Sequence, residues 1–135
     1  MATLAGFAVT VIDPRPIPEH FPEVPLLREW PEAALAALRP DRDTAVVTLA
    51  HDPRLDDPAL AVALRSAAFY IGALGSRRAH EMRLTRLAAL GFGAEDLARI
   101  HGPVGLPLGD HSPAAIAVSA LAQIIQTLSS VRSSQ

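Results

Sequence analysis

"YIGALGSRR", Tyr70 to Arg78, is the stretch that decides how this chain is read. An apolar run of strand composition stops at a turn containing two glycines, and a serine and two arginines follow at once. Gly72 and Gly75 permit close backbone approach or a positive φ. Ser76 is placed to cap a helix, leaving first-turn N–H groups outward at the partial positive pole. Arg77 and Arg78 add charge where a helix prefers Asp or Glu, unfavourable locally by roughly 0.3–1 kcal/mol each. A bound phosphate or carboxylate offsets that cost, as does an acidic partner surface or an Asp from a neighbouring loop. The spacing predicts strand, tight turn and helix, with a candidate anion site over Gly72, Gly75, Ser76, Arg77 and Arg78. Arg83 and Arg86, further along the helix, read as a solvated face.

Outward from this stretch the same alternation repeats. "FAVTVI" (Phe7–Ile12) is a short β-branched run stopped by the prolines of "DPRPIPEHFPEVP". "WPEAALAAL" is a short helix with Pro31 early and Glu32 in its first turn. "TAVVTLA" (Thr44–Ala50) is a second buried-type strand; "HDPRLDD" follows, then a helix from about Pro58 to Ala68. "FYIGAL" is the third strand, and "SRRAHEMRLTRLAALG" a helix stopped by Gly91. "AEDLARI" is a short helix before "HGPVGLPLGDHS", a glycine-fixed loop in which Ser112 and Pro113 start the last helix. That helix, "PAAIAVSALAQIIQTL", is apolar nearly all round and is expected to pack on a sheet. Near-continuous apolar strands alternating with helices predict an α/β fold, Rossmann-like and three-layered, with a mostly parallel sheet. One domain over residues 1–128 and a frayed tail at 129–135 are expected.

Composition removes several chemistries. All 12 basic residues are Arg, which excludes a Schiff-base lysine and the phosphate-binding loop that relies on one. There is no Cys, so disulfides, thiolate nucleophiles and cysteine-ligated metal sites are excluded. The five His show no metal-ligand pairing, and no metal site is assigned. A net charge of −2 gives no global attraction to nucleic acid or to anionic membranes, and neither is expected as a partner. The amino terminus has no export signal and no window approaches a membrane span, so a cytoplasmic location is expected.

Two further places sit at strand ends. Asp13 follows "VTVI", where dinucleotide-binding folds place an acid that hydrogen-bonds a ribose; an Asp before Pro also simply starts a turn. The glycine-rich turn that normally precedes it is missing, and "LAGF" looks like the tail of the helix after such a turn. The chain is thus expected to begin inside a βαβ unit, leaving two neighbours of a central strand unpaired. His51 and Asp52 lie just past a strand's carboxyl end, where open α/β sheets bind ligands, and His51 beside a carboxylate is suited to proton transfer. Asp56 or Asp57 is expected to cap the following helix.

"VTVIDPRP", "TLAHDPRLDDPAL", "FYIGALGSRRAHEMRLTRLAALGF", "DLARIHGPVGLPLG" and "SPAAIAVSALAQII", in this order, resemble the carboxyl-terminal Rossmann-like domain of the XdhC/CoxI family, from about Gly6 to Leu128. The chain departs from the family pattern in lacking its first strand, its glycine-rich turn and its cysteine-bearing amino-terminal domain. Ala115 also stands where the family carries an acidic residue. The resemblance implies an accessory protein for a molybdenum hydroxylase such as xanthine dehydrogenase. Such a protein binds the molybdenum cofactor (molybdopterin), protects it during sulfuration and aids its insertion, without turnover of its own. It implies a nucleotide- or pterin-phosphate cleft lined by Asp13 with Arg15, by His51 and Asp52, and by Gly72, Gly75, Ser76, Arg77 and Arg78, with no catalytic residue. Two alternatives stand beside it. One is an NAD(P)-dependent oxidoreductase with Arg77 and Arg78 on a phosphate and His51 as proton donor. The other is a non-binding fragment that acts through protein partners or as a homodimer.

Overall fold

A computed structural model describes residues 1–15 and 24–134. Most of the proline-rich segment that follows Asp13, residues 16–23, lies outside the described residues. The elements in chain order are β1 (Val11–Ile12), β2 (Leu26–Leu27), α1 (Pro31–Leu38), β3 (Ala45–Thr48), α2 (Pro53–Leu64), β4 (Tyr70–Ala73), α3 (Arg77–Ala89), α4 (Ala94–Leu97), β5 (Ile100–His101) and α5 (Pro113–Ser133).

Among the described residues every strand pairing is parallel. β3, β4 and β5 form one sheet in that order, with Val46, Ile71 and Ile100 in one row and Val47, Gly72 and His101 in the next. β1 and β2 form a separate two-stranded sheet, Val11 opposite Leu26 and Ile12 opposite Leu27. Among the described residues no strand pairs β1 with β3. The parallel α/β fold is the one expected. "LAGF" (Leu4–Phe7), expected as a helix tail, is not helical: residues 2–6 form turns.

Successive side chains of β4 point to opposite faces, and the two faces are built differently. Ile71 and Ala73 join Val46, Ile100, Leu35, Ala59, Leu60, Ala63, Leu64 and Leu87 in the main core, which α1, α2 and α3 cover. Tyr70 and Gly72 face the other way, toward α5. There the Tyr70 ring stacks on His101 with centroids 4.6 Å apart and donates its hydroxyl to Gln123 Oε1 at 2.6 Å. Burial pushes the Tyr70 phenol up to about 12, so it stays a donor. Gly72 makes this stack fit: a Cβ there would lie 2.8 Å from Tyr70 Cε1 and 2.7 Å from Val104 Cγ2. Of the two properties that the sequence allows Gly72, close backbone approach and positive φ, the structure shows the first, toward the Tyr70 ring and Val104.

Other expectations shift in register. α2 begins at Pro53 rather than near Pro58, because Asp52 is its N-cap and accepts from the Arg54 N–H at 3.0 Å. Pro58 is accommodated inside the helix. No strand is expected at β2, because a two-residue ladder carries no periodic signal. Arg99 holds β5 to the turn after α2, donating to the carbonyls of Leu64, Ser66 and Ala68.

α5 departs most from expectation. It runs unbroken through residues 129–133, where a frayed tail was expected, and of its residues only Ser119 is buried. Its apolar composition is spread round the helix rather than enclosed. Against the expectation that no window approaches a membrane span, α5 is long and apolar enough to cross one by length and composition, with a mean hydropathy of 1.6. Polar contacts fix it to this domain: Gln123 accepts from Tyr70 and from the Gly105 N–H, and the Leu106 N–H donates to the Ser119 carbonyl.

Gly72→Ala should therefore overpack the Tyr70–Val104 contact and cost about 1–3 kcal/mol. Thermal denaturation of the variant should show a clearly lowered midpoint; an unchanged one would mean the face toward α5 has room the structure does not show.

Candidate functional site

In parallel ladders the carboxyl ends of all strands leave on one side, and loops there carry most of the predicted site residues. Past β1, Asp13 is held by Arg15, whose Nη2 donates to Oδ2 at 2.8 Å, and this pairing keeps the Asp13 carboxyl below its usual range. The guanidinium also reaches toward the Ala50 carbonyl past β3, at 3.5 Å. Asp13 and Arg15 thus stand across the division of the sheet from the β3 end. Past β3, His51 adopts a left-handed conformation, φ 59°, and its ring is exposed. Asp52 is committed to the helix cap and to Arg54, and those bonds, with the Arg54 side chain first, hold its carboxyl low.

Past β4 the turn is as the sequence predicts. Gly75 has φ 142°, and Ser76 Oγ accepts the Ala79 N–H at 3.1 Å. Ser76, Arg77 and Arg78 are exposed, and among the described residues neither arginine has an acidic partner. No Asp or Glu lies in the first turn of α3. The two charges therefore face solvent at the positive end of a helix with nothing in the described structure to offset them.

Between the β3–α2 and β4–α3 connections lies a cleft of about 200 Å³, lined by His51, Asp56, Leu74, Gly75, Met82, Arg83 and others. Two of these residues were read otherwise in the sequence. Arg83, expected on a solvated face, is 5 % exposed. Its Nη2 donates to the Leu74 carbonyl at 2.9 Å and its Nη1 to His80 Nδ1 at 3.2 Å, while its Nε has no partner. Because arginine only donates, His80 Nδ1 accepts, and burial lowers the His80 pKa, keeping the ring neutral. Asp56 is no helix cap. It is 4 % exposed and accepts the His51 N–H at 3.1 Å, tying the left-handed residue to α2. Arg86 is likewise not free: it forms a two-point pair with Asp57.

Helical spacing hid Arg83. Leu87 and Arg83 lie four residues apart on one face of α3, so the apolar face that buries Leu87 also carries the guanidinium inward. The long apolar stem fits such a position; the buried head needs the Leu74 carbonyl at the strand end.

Burial, above all other influences, raises the Asp56 pKa from 3.8. The charged carboxylate is thus disfavoured in the folded state. Its contribution to stability is greatest below the unfolded value of 3.8 and falls as pH rises through the raised folded pKa. Asp56→Asn removes this penalty. The melting temperature of the variant minus that of the parent should become more positive from about pH 4 to pH 7. A difference flat with pH would show that Asp56 does not titrate in that range.

With this geometry in view, comparison with known proteins is specific. A family model described as the XdhC Rossmann domain matches residues 1–124. The chain is 40% identical over 91 residues to the molybdenum cofactor insertion chaperone PaoD of Escherichia coli (strain K12), covering 67% of this chain and 29% of that protein. A Bacillus subtilis (strain 168) protein, named as a probable xanthine dehydrogenase subunit, is 33% identical over 131 residues, covering 94% of this chain and 38% of its own length. A crystal structure of a xanthine dehydrogenase from Bacillus halodurans superposes with a TM-score of 0.78 at 30% identity, covering 96% of this chain and 38% of that one. The chain thus spans well under half the length of these relatives. Match, identity and superposition agree with the parallel fold, and the chain belongs to the XdhC family through its Rossmann domain.

Proposed function

We propose that this domain is the ligand-holding part of a maturation factor for a molybdenum hydroxylase of the xanthine dehydrogenase type. Its ligand is the molybdenum cofactor, or a nucleotide of similar charge, carried as cargo toward the apo-enzyme. The observation that supports this reading is the pair of unopposed arginines, Arg77 and Arg78, at the capped amino end of α3. Kinship with a protein named as a molybdenum cofactor insertion chaperone gives the direction.

The residues present suit the phosphate end of such a cargo. Two exposed guanidiniums and the free N–H groups of a helix start offer donors and positive charge to a phosphate. Gly75 brings the backbone close without a side chain in the way. The molybdenum chemistry itself is supplied by the cargo once it sits in the recipient enzyme. This chain's own part is to bind the anionic end, orient the ring system along the rim toward His51 and Asp13, and exclude water from one side.

Calorimetric titration with pyrophosphate, CMP and released molybdenum cofactor tests the reading. Arg77→Ala with Arg78→Ala should weaken phosphate-bearing ligands by about tenfold per arginine, some 1.4 kcal/mol each. The melting temperature should hold or rise, because each removed charge opposed the helix dipole by about 0.3–1 kcal/mol. Unchanged affinity would place the phosphate elsewhere, and a large loss of stability would make the pair structural. Steady oxidation of reduced nicotinamide cofactor with carbonyl substrates would instead favour the oxidoreductase alternative.

A further inference from the structure

α5 meets its own domain largely through polar groups. Ser119 is buried, and Gln123, one turn later, bonds Tyr70 and both the N–H and the carbonyl of Gly105. Apolar residues occur all round this helix, but exposure singles out one stripe. By the 3.6-residue repeat, the side opposite Ser119 and Gln123 carries Ala114, Val118, Leu121, Ile125, Leu128 and Arg132. Val118 is 48% exposed and Ile125 46%. The steps along the stripe alternate between four and three residues, the heptad spacing that keeps one helix facing another over its whole length. A solvated helix face normally carries charge, yet from Pro113 to Val131 α5 has no charged side chain. A hollow of about 330 Å³ opens on the same stripe, lined by Ile125, Leu128 and Arg132 among others.

We propose that a second copy of this chain covers the stripe, with α5 packed antiparallel on α5 about a twofold axis level with Gln123. In that register Ala114 meets Arg132, Val118 meets Leu128 and Leu121 meets Ile125. The members of these pairs stand nine, five and two residues from Gln123, so every position of the stripe is matched and both copies use the same patch. Val118 of one copy enters the hollow beside Leu128 of the other. Each Arg132 also comes to the amino end of the other α5, where the exposed Asp110 supplies the nearest negative charge in sequence. Among the described residues neither has an ion-pair partner in its own chain. Parallel packing would instead set two Arg132 side by side. Paired along its length of about 31 Å, α5 covers on the order of 1,200 Å² in all, the low end for a specific interface, so the dimer dissociates on dilution. An uncharged stripe suits a like copy better than a strongly charged partner. A bilayer fits less well, because a spanning helix would give up the bonds of Gln123 to Tyr70 and Gly105. None of this depends on the proposed function.

Sedimentation of the whole chain over a range of concentrations tests the proposal, together with thiol cross-linking, for which the cysteine-free sequence leaves each introduced Cys alone. The parent should form a dimer that dissociates on dilution, with a melting temperature that rises with concentration. Ile125→Glu should raise the dissociation constant about tenfold or more. Arg132→Asp should weaken the dimer about threefold, and Asp110→Arg in the same chain should restore it. An equimolar mixture of Leu121→Cys and Ile125→Cys should cross-link far more than either variant alone. A monomer at every concentration, a folded Ile125→Glu as tightly dimeric as the parent, or preferential linking of Ile125→Cys to itself, as parallel packing requires, overturns the proposal. Flotation of the parent with phosphatidylcholine vesicles, without self-association, overturns it too and gives α5 to a lipid surface. If Ile125→Glu does not fold, the cross-linking contrast decides alone.

Discussion

Strands that pair in parallel must all leave the sheet in the same direction, so their following loops gather on one rim. In this chain the ladder of β3, β4 and β5 sets that rim, and what is placed on it follows from the ladder. Past β4 the Leu74 carbonyl accepts from Arg83 of α3, and past β3 the His51 N–H donates to Asp56 of α2. The buried guanidinium is therefore a brace between a strand end and the helix that follows it. The ladder also fixes which side chains share a face, which is why the Tyr70 ring lies over Gly72 and stacks on His101. The lack of side-chain volume at Gly72 is the local condition that lets α5 attach through Gln123.

The divided sheet gives the molecule an unusual inner boundary. β1 and β3 stand on either side of it, and Arg15 reaches from the first toward the Ala50 carbonyl after the second. Ile12 packs against the main core, so the two sheets share an apolar interior although no ladder joins them. The rim therefore has two parts: Asp13 with Arg15 on one side, and His51, the cleft and the α3 start on the other. The unopposed charge lies on the second part, because Asp13 and Arg15 satisfy each other whereas Arg77 and Arg78 have no acidic neighbour among the described residues.

Much of this was legible in the sequence, for physical reasons that can be named. Apolar runs at Thr44–Ala50 and Phe69–Leu74 mark buried parallel strands, and Ser76 marks the start of α3 by its capping geometry. The start of α2 is ambiguous in the sequence because Asp52 and Asp57 are each followed by a proline that suits a first helical position, and the structure starts the helix at the first of them. Once Asp52 is the cap, Asp56 lies a turn inside the helix and is carried inward. Arg83 escaped because charge outweighed position: a residue four before Leu87 belongs to the buried face whatever its head group. Gly72 is legible as a position of close approach, and the neighbour it makes room for, the Tyr70 ring, lies on the same strand. Strands of two residues and the one-sided packing of α5 leave no local pattern to read.

The central claim is that the carboxyl rim, at the start of α3, is where this domain meets an anionic ligand. The most direct measurement is a backbone amide titration of the whole chain with pyrophosphate, following every resolved signal. The account predicts that the largest changes fall on Gly75, Arg77, Arg78 and Ala79, with smaller ones at His51. Changes centred on α5 or on the opposite edge of the sheet, or none at all in a folded protein, would contradict it.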